Sequence, residues 1–167
     1  MDWSPFVVVE EGLKAPAPRG LATPEGVGDR LRTAAFAERQ ARDAFAWAAE
    51  RFPDAPEKLR QGWRRLSVEE DKHLGWLLRR MEQLGVKPGA RPVSDLLFRS
   101  LTQSADWRAF AAFMADAEER GRVAERSFQA ALAQSDPETA RVFAAIADEE
   151  EAHIALQLDA GDGPSPR

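Results

Sequence analysis

The chain has 167 residues, 44% hydrophobic and 31% charged, with a net charge of −5. That length suits one domain with a real core, and an acidic balance without a basic block argues against a nucleic-acid surface. Zero cysteines exclude disulfides, thiolate zinc sites, iron–sulfur clusters and a rubredoxin-type iron centre on this chain, and zero tyrosines exclude a stored tyrosyl radical.

No apolar run approaches the ~20 residues of a membrane span. The acidic start Met1-Asp2-Trp3-Ser4-Pro5 lacks the basic region of a secretory signal. The expectation is a cytoplasmic protein with no membrane partner.

Residues 1–22, with Val7-Val8-Val9, Pro16, Pro18 and Gly20, read as an irregular arm across the surface of a bundle, with one short extended piece around Phe6–Val9. A helical bundle fills 23–160. Thr23-Pro24-Glu25 is a cap and first turn for a helix running to Phe52, with the inward stripe Leu31, Ala34/Ala35, Glu38, Ala41, Phe45, Ala48/Ala49, Phe52. Pro53 stops it. Asp54-x-x-Glu57 resembles a capping box for the second helix, whose stripe is Leu59, Trp63, Leu66, Glu70, His73, Leu77, Met81, Leu84, closed by Gly85. The connection over 85–105 is long enough to cross the end of a bundle and carries a short amphipathic helix over Val93–Leu101. The third long helix starts near Asp106 and ends near Ala133. Its stripe is Trp107, Phe110/Ala111, Met114, Glu118, Gly121, Glu125 or Ala124, Phe128, Leu132. Ser135-Asp136-Pro137-Glu138 opens the fourth with a second capping box, and Phe143, Ile146, Glu150, His153 and Gln157 or Leu158 face inward. Residues 161–167 read as a flexible tail.

The two halves repeat. A shift of 80 residues lays Glu38 on Glu118, Arg42 on Arg122, Ala41 on Gly121, Trp63 on Phe143, Leu66 on Ile146, Glu69-Glu70 on Glu149-Glu150 and His73 on His153. The chain's only two histidines both close a Glu-x-x-His, and each Glu-x-x-His follows a lone glutamate by 32 residues. Glu38 and Glu70 each lie 14 residues from the turn of their hairpin, about 21 Å at ~1.5 Å per residue, so they meet at one level. The fold class is all-α: two pseudo-symmetric antiparallel hairpins joined by a crossover into a four-helix bundle.

Residues three apart share a helix face, so the carboxylate and imidazole of Glu-x-x-His can bind one ion. Four carboxylates in a core repel and lose hydration unless compensated, and two divalent cations balance them. Glu38, Glu70, His73, Glu118, Glu150 and His153 therefore read as six metal ligands; by likeness to di-iron carboxylate bundles, in which the Glu-x-x-His glutamates bridge the metals, Glu70 and Glu150 are expected to bridge, with Glu38 and His73 on one ion and Glu118 and His153 on the other. Glu69, Asp71, Glu149 and Glu151 read as solvated charges. Arg42 and Arg122 read either as outer partners of the ligands or as solvated pairs. Glu125, seven residues past Glu118 and too far to share its ion, either lines a polar access path or faces solvent with Ala124 in the core slot; the second is slightly favoured. Trp76 reads as core packing rather than an electron relay.

These residues resemble the ferritin-like superfamily of rubrerythrins, bacterioferritins and tRNA hydroxylases, and within it a stand-alone bacterial rubrerythrin-related family. The matching stretches are Arg19-Gly20-Leu21-Ala22-Thr23-Pro24-Glu25-Gly26 leading to Glu38, Glu69-Glu70-x-x-His73, Glu118-Glu119-Arg120-Gly121 and Asp148-Glu149-Glu150-x-x-His153, spanning 19–158. The resemblance implies a ferritin-like bundle with two metal ions, iron first, with manganese or a mixed iron–manganese pair as alternatives. Two positions depart from those relatives. Phe36 stands where a polar residue, often histidine, is expected. Gly121 stands where rubrerythrin-type sites carry a further glutamate, which weighs against a peroxidase.

Three functions compete. The first is an oxidase or oxygenase that activates O₂ or peroxide against a small organic substrate with an external reductant; small Ala41 and Gly121 would leave room for O₂. The second is a ferroxidase or other iron-handling or detoxifying protein without an organic substrate. The third is a structural bundle with a vestigial site. A homodimer is compatible with each, and action on tRNA is disfavoured by the acidic charge.

Overall fold

Thr23 starts the first helix: its Oγ1 accepts the Gly26 N–H at 3.1 Å and Pro24 occupies the first turn. In the computed structural model, which describes residues 1–161 and the side chains of 1–159, this helix is α1 (Pro24–Arg51). It is followed by α2 (Glu57–Gln83), a 3₁₀ turn at Pro88–Ala90, α3 (Leu96–Leu101), α4 (Trp107–Leu132) and α5 (Pro137–Gly161). Positions 162–167 of the expected tail lie outside the described residues. Short turns join α1 to α2 and α4 to α5, and each pair packs along its length. Across the hairpins α2 lies against α5, whereas α1 and α4 touch over a shorter stretch, with α3 beside them. No strand forms among the described residues, and no helix of them is long and apolar enough to cross a membrane.

The helix ends correct three expectations. The capping box of α2 does not form: Pro56 occupies the cap without a side-chain bond, and Glu57 instead accepts from Arg60 and Gln61 within its own first turns. At α5 the capping pair is Asp136 with Thr139, whose N–H donates to Asp136 Oδ1 at 3.1 Å, because Pro137 sets the register one residue later than a Ser135–Glu138 pair. The crossover helix begins at Leu96, not Val93. Val93 N–H donates to Val7 O and its carbonyl accepts from Val9 N–H, both at 2.9 Å, in a parallel bridge that holds it extended. Buried Gln40 of α1 then accepts the free Phe98 N–H at 3.0 Å, capping α3 from outside. The end of α2 agrees with the reading. Gly85 is left-handed (φ 69°), and the bonds Gly85 N–H to Glu82 O and Val86 N–H to Met81 O complete a Schellman motif. That turn puts Leu84 in solvent, 41% exposed, rather than in the core stripe.

α1 buries two faces. One is the predicted stripe. The other, with Asp29, Arg32, Phe36 and Gln40, lies under the N-terminal arm and the crossover. Trp3 and Phe6 pack on Phe36 with ring centroids 5.2 and 5.0 Å apart. Phe36 is thus part of the arm's seat. The arm's second anchor is ionic: Asp29 accepts from Arg19, Arg32 and Arg91 at 2.8, 2.9 and 2.6 Å.

The apolar interior forms two clusters. One gathers Phe45, Phe52, Trp63, Phe110 and Met114, and the other Leu31, Leu77, Met81, Phe143 and Ile146. The polar middle positions of the four long helices fall between them.

Candidate metal centre

Each long helix brings its mid-stripe acid to this middle layer. Glu38, Glu70, His73, Glu118, Glu150 and His153 are all buried. Their ligand atoms form two groups, each with all atoms within 4.8 Å of one another: Glu38, Glu70, His73 and Glu150, and Glu70, Glu118, Glu150 and His153. Glu70 and Glu150 belong to both. The structure thus brings together all six residues, and the shared pair is the one expected to bridge.

Both imidazoles turn Nδ1 inward. His73 Nδ1 lies 3.6 Å from Glu38 and Glu70 and 3.5 Å from Glu150. His153 Nδ1 lies 2.9 Å from Glu70 and 3.5 Å from Glu150. None of these contacts is aligned as a hydrogen bond. Buried Nδ1 of both histidines, one oxygen each of Glu70 and Glu150 and both oxygens of Glu118 have no hydrogen-bond partner. Buried polar atoms are seldom left so, and here they converge on a common space.

The outer nitrogens are held across the hairpins. His73 Nε2 donates to Glu149 Oε2 at 2.9 Å, and His153 Nε2 donates to Glu69 Oε2 at 2.8 Å. Glu149 also accepts from Lys72 at 2.5 Å. Glu69 and Glu149 are therefore not merely solvated charges, which corrects the reading above. Each fixes the tautomer and ring angle of the other hairpin's histidine. The signal was present in the repeat, as the doubled acid Glu69-Glu70 and Glu149-Glu150, but the exchange between hairpins appears only once α2 lies against α5. Asp71 and Glu151 are exposed as expected. Arg42 pairs with Asp43 and Asp71, and Arg122 with Glu119, so these bonds run to surface acids. Trp76 packs against the second apolar cluster, its ring centroid 5.4 Å from that of His73.

The electrostatics show what the bare layer lacks. Burial, then the Glu70 carboxylate, pushes Glu38 far above the usual carboxylate range. Burial, then Glu150 and Glu70, does the same to Glu118. Burial also opposes ionisation of Glu70, but the Glu38 carboxyl and the His153 and His73 imidazoles close beside it outweigh burial and hold it low. For the histidines burial opposes charge and the facing carboxylates overcome it; His153 rises from 6.5 to about 11, and His73 rises as well. Protons thus supply the positive charge that the carboxylates require.

A cavity of ≈ 60 Å³ opens beside the layer where α1 and α4 separate, walled by Glu38, Ala41, Leu97, Glu118, Gly121 and Glu125 among others. Glu125 is 5% exposed and one of its oxygens has no partner. It therefore lines a polar path and does not face solvent, and Ala124 is only half-buried. Burial raises its pKa to about 8.

A family model described as "Protein of unknown function (DUF455)" matches residues 6–157. No curated protein and no solved structure matches the chain.

Proposed function

The chain belongs to the DUF455 family, and we propose that it is a ferritin-like dinuclear metal protein, an oxidoreductase that uses two iron ions, or an iron–manganese pair, to activate O₂ or peroxide. One observation carries this reading: two buried ligand groups share Glu70 and Glu150, with unpartnered nitrogen and oxygen atoms converging between them. In this reading Glu38 and His73 would hold one ion and Glu118 and His153 the other, with Glu70 and Glu150, common to both groups, available to each. Carboxylate and imidazole donors without thiolate suit iron and manganese. The duplicated hairpins and the α3 crossover support the ferritin-like assignment.

When bound, the metal pair supplies the electrons for reducing O₂ or peroxide. The chain supplies the surroundings. Glu69 and Glu149 set the histidine rings, the two apolar clusters close the layer above and below, and the cavity at Ala41 and Gly121 admits small molecules to the carboxylate side. Its ≈ 60 Å³ has room for a water or two, or O₂, but not for a sizeable organic molecule. That size favours the second reading, an iron-oxidising or detoxifying protein without an organic substrate.

Metal analysis and anaerobic Fe(II) titration of the purified protein test the proposal. Two equivalents per chain, followed by O₂ uptake and a new absorption band on aeration, are expected. Failure to take up metal sinks it. Anomalous scattering from crystals at the iron and manganese edges would identify the pair. Repeated oxidation of added Fe(II) beyond two equivalents would select the iron-handling reading.

A further inference from the structure

Glu125 is buried without a structural reason. Its counterpart 80 residues earlier is Phe45, fully buried and packed against Phe110 with ring centroids 6.3 Å apart. The fold thus accepts an apolar residue at this register, and a buried carboxyl is unfavourable unless something compensates it. No hydrogen bond does so at its buried oxygen. Glu125 Oε2 has no hydrogen-bond partner, and the adjacent Arg126 is already bonded to Asp148 and Gln129. Glu118 and Glu125 share one face of α4, and the position between them is Gly121, beside which a Cβ would meet nothing within 4 Å. Gly121 places no side chain in this space, and Glu125, Glu118 and Glu38 line one cavity with it.

We propose that Glu125 is a capture site for divalent cations on their way into the dinuclear centre. A cation in the cavity meets carboxyl oxygens and apolar walls, and no lysine, arginine or histidine is among the residues that line it. Glu125 binds it first, and Glu118, whose two oxygens are both unpartnered, takes it over. The duplication explains the one-sidedness: the half with Phe45 is sealed, and the half with Glu125 is open. This inference rests on the dinuclear reading above and adds the route by which metal arrives.

The test is anaerobic stopped-flow loading of the full-length, metal-free protein with Co(II), followed by its visible absorption, alongside equilibrium metal counts. Wild type should bind two ions. Glu125→Gln should bind two at equilibrium but load about ten-fold more slowly at low Co(II), the scale on which a cleft of one charge sign raises capture rates. Glu125→Asp should recover part of the rate, and exposed Asp116→Asn on the same helix should load like wild type. Gly121→Leu, which fills the cavity from an open position, should slow loading without touching an acid. Wild-type loading rates in both Glu125→Gln and Gly121→Leu overturn the proposal. So does a Glu125→Gln protein that melts like wild type yet holds fewer than two ions, because Glu125 would then belong to the centre itself. If wild type binds no metal, the dinuclear reading fails and this inference falls with it.

Discussion

Each histidine of the centre is held at its outer ring nitrogen, and that grip is the part that substitution can loosen without deleting a ligand. Glu69→Gln and Glu149→Gln keep shape and lose charge. Each is expected to weaken metal binding about 10–100-fold, measured by competition with a chelator. Glu149→Gln should also free Lys72, which lies over Trp76 at 5.0 Å and shares the Glu149 oxygen with His73. The metal-free layer has its own pH signature. Glu125 rises from 4.5 to about 8 and His153 from 6.5 to about 11, and Glu38, Glu118 and His73 are raised as well. The folded state therefore holds more protons than the unfolded state between about pH 5 and 11, and stability falls as pH rises through that window. Asp29 and Glu70 act in the opposite sense. Their carboxylates are held low by the Arg19 hydrogen bonds and by the Glu38–histidine cluster respectively, so their contribution is present above the ordinary carboxylate range and is lost as pH falls toward their folded values. Thermal melts of chelated protein should show a falling midpoint from about pH 5 to 9. Loaded protein should show a flatter profile, because cations replace the protons. A rising midpoint in the chelated protein would contradict the proton count.

At the scale of elements, the arm and crossover matter as much as the four helices. Asp29 joins α1 to both through three arginines, and Arg32 reaches on to the carbonyl oxygens of Lys87 and Pro88. Asp29→Asn leaves buried Arg32 and its companions without their counter-charge and should destabilise the fold by about 3 kcal/mol or more, read from urea unfolding, with early proteolysis in residues 1–22. Two glycines make a contrast. A Cβ on Gly26 would sit 1.8 Å from the Gly20 carbonyl oxygen, whereas one on Gly75 would touch nothing. Gly26→Ala should therefore displace the chain entering α1 and lower the melting point, and Gly75→Ala should add up to ~1 kcal/mol through helix propensity alone. Existence and order of the four long helices were legible in the sequence, because stripes at spacings of three and four, with Pro24, Gly85 and Pro137 at the ends, specify them locally. The second buried face of α1 was not legible. Leu31, Glu38 and Phe45 announce one face by period, but Asp29, Arg32 and Gln40 are polar and become buried only when the arm and α3 cover them.

For the molecule as a whole, the polar layer is sandwiched between two apolar clusters, and its stability depends on what fills it. Chelation should remove the stability that metal binding adds and so lower the melting point, and readdition should restore it in a concentration-dependent way. An unchanged melt after complete metal removal would favour a structural bundle with a vestigial site. Sedimentation adds the second axis: a small assembly argues against storage of mineral iron, whatever the redox activity.

By itself the sequence determined the duplicated hairpins and the six residues at their shared level. Helical period is a local property, and an offset of 80 residues is visible in one dimension. Only the tertiary structure decided three further matters. Glu69 and Glu149 hold the opposite hairpin's histidines because α2 meets α5. Glu125 is buried at the cavity beside Gly121, whereas its counterpart Phe45 packs on Phe110 in the other half. The arm is seated on Phe36 because Trp3 and Phe6 need an apolar surface that α1 presents away from the centre. Each depends on which faces meet, and that is set by packing between segments far apart in the chain.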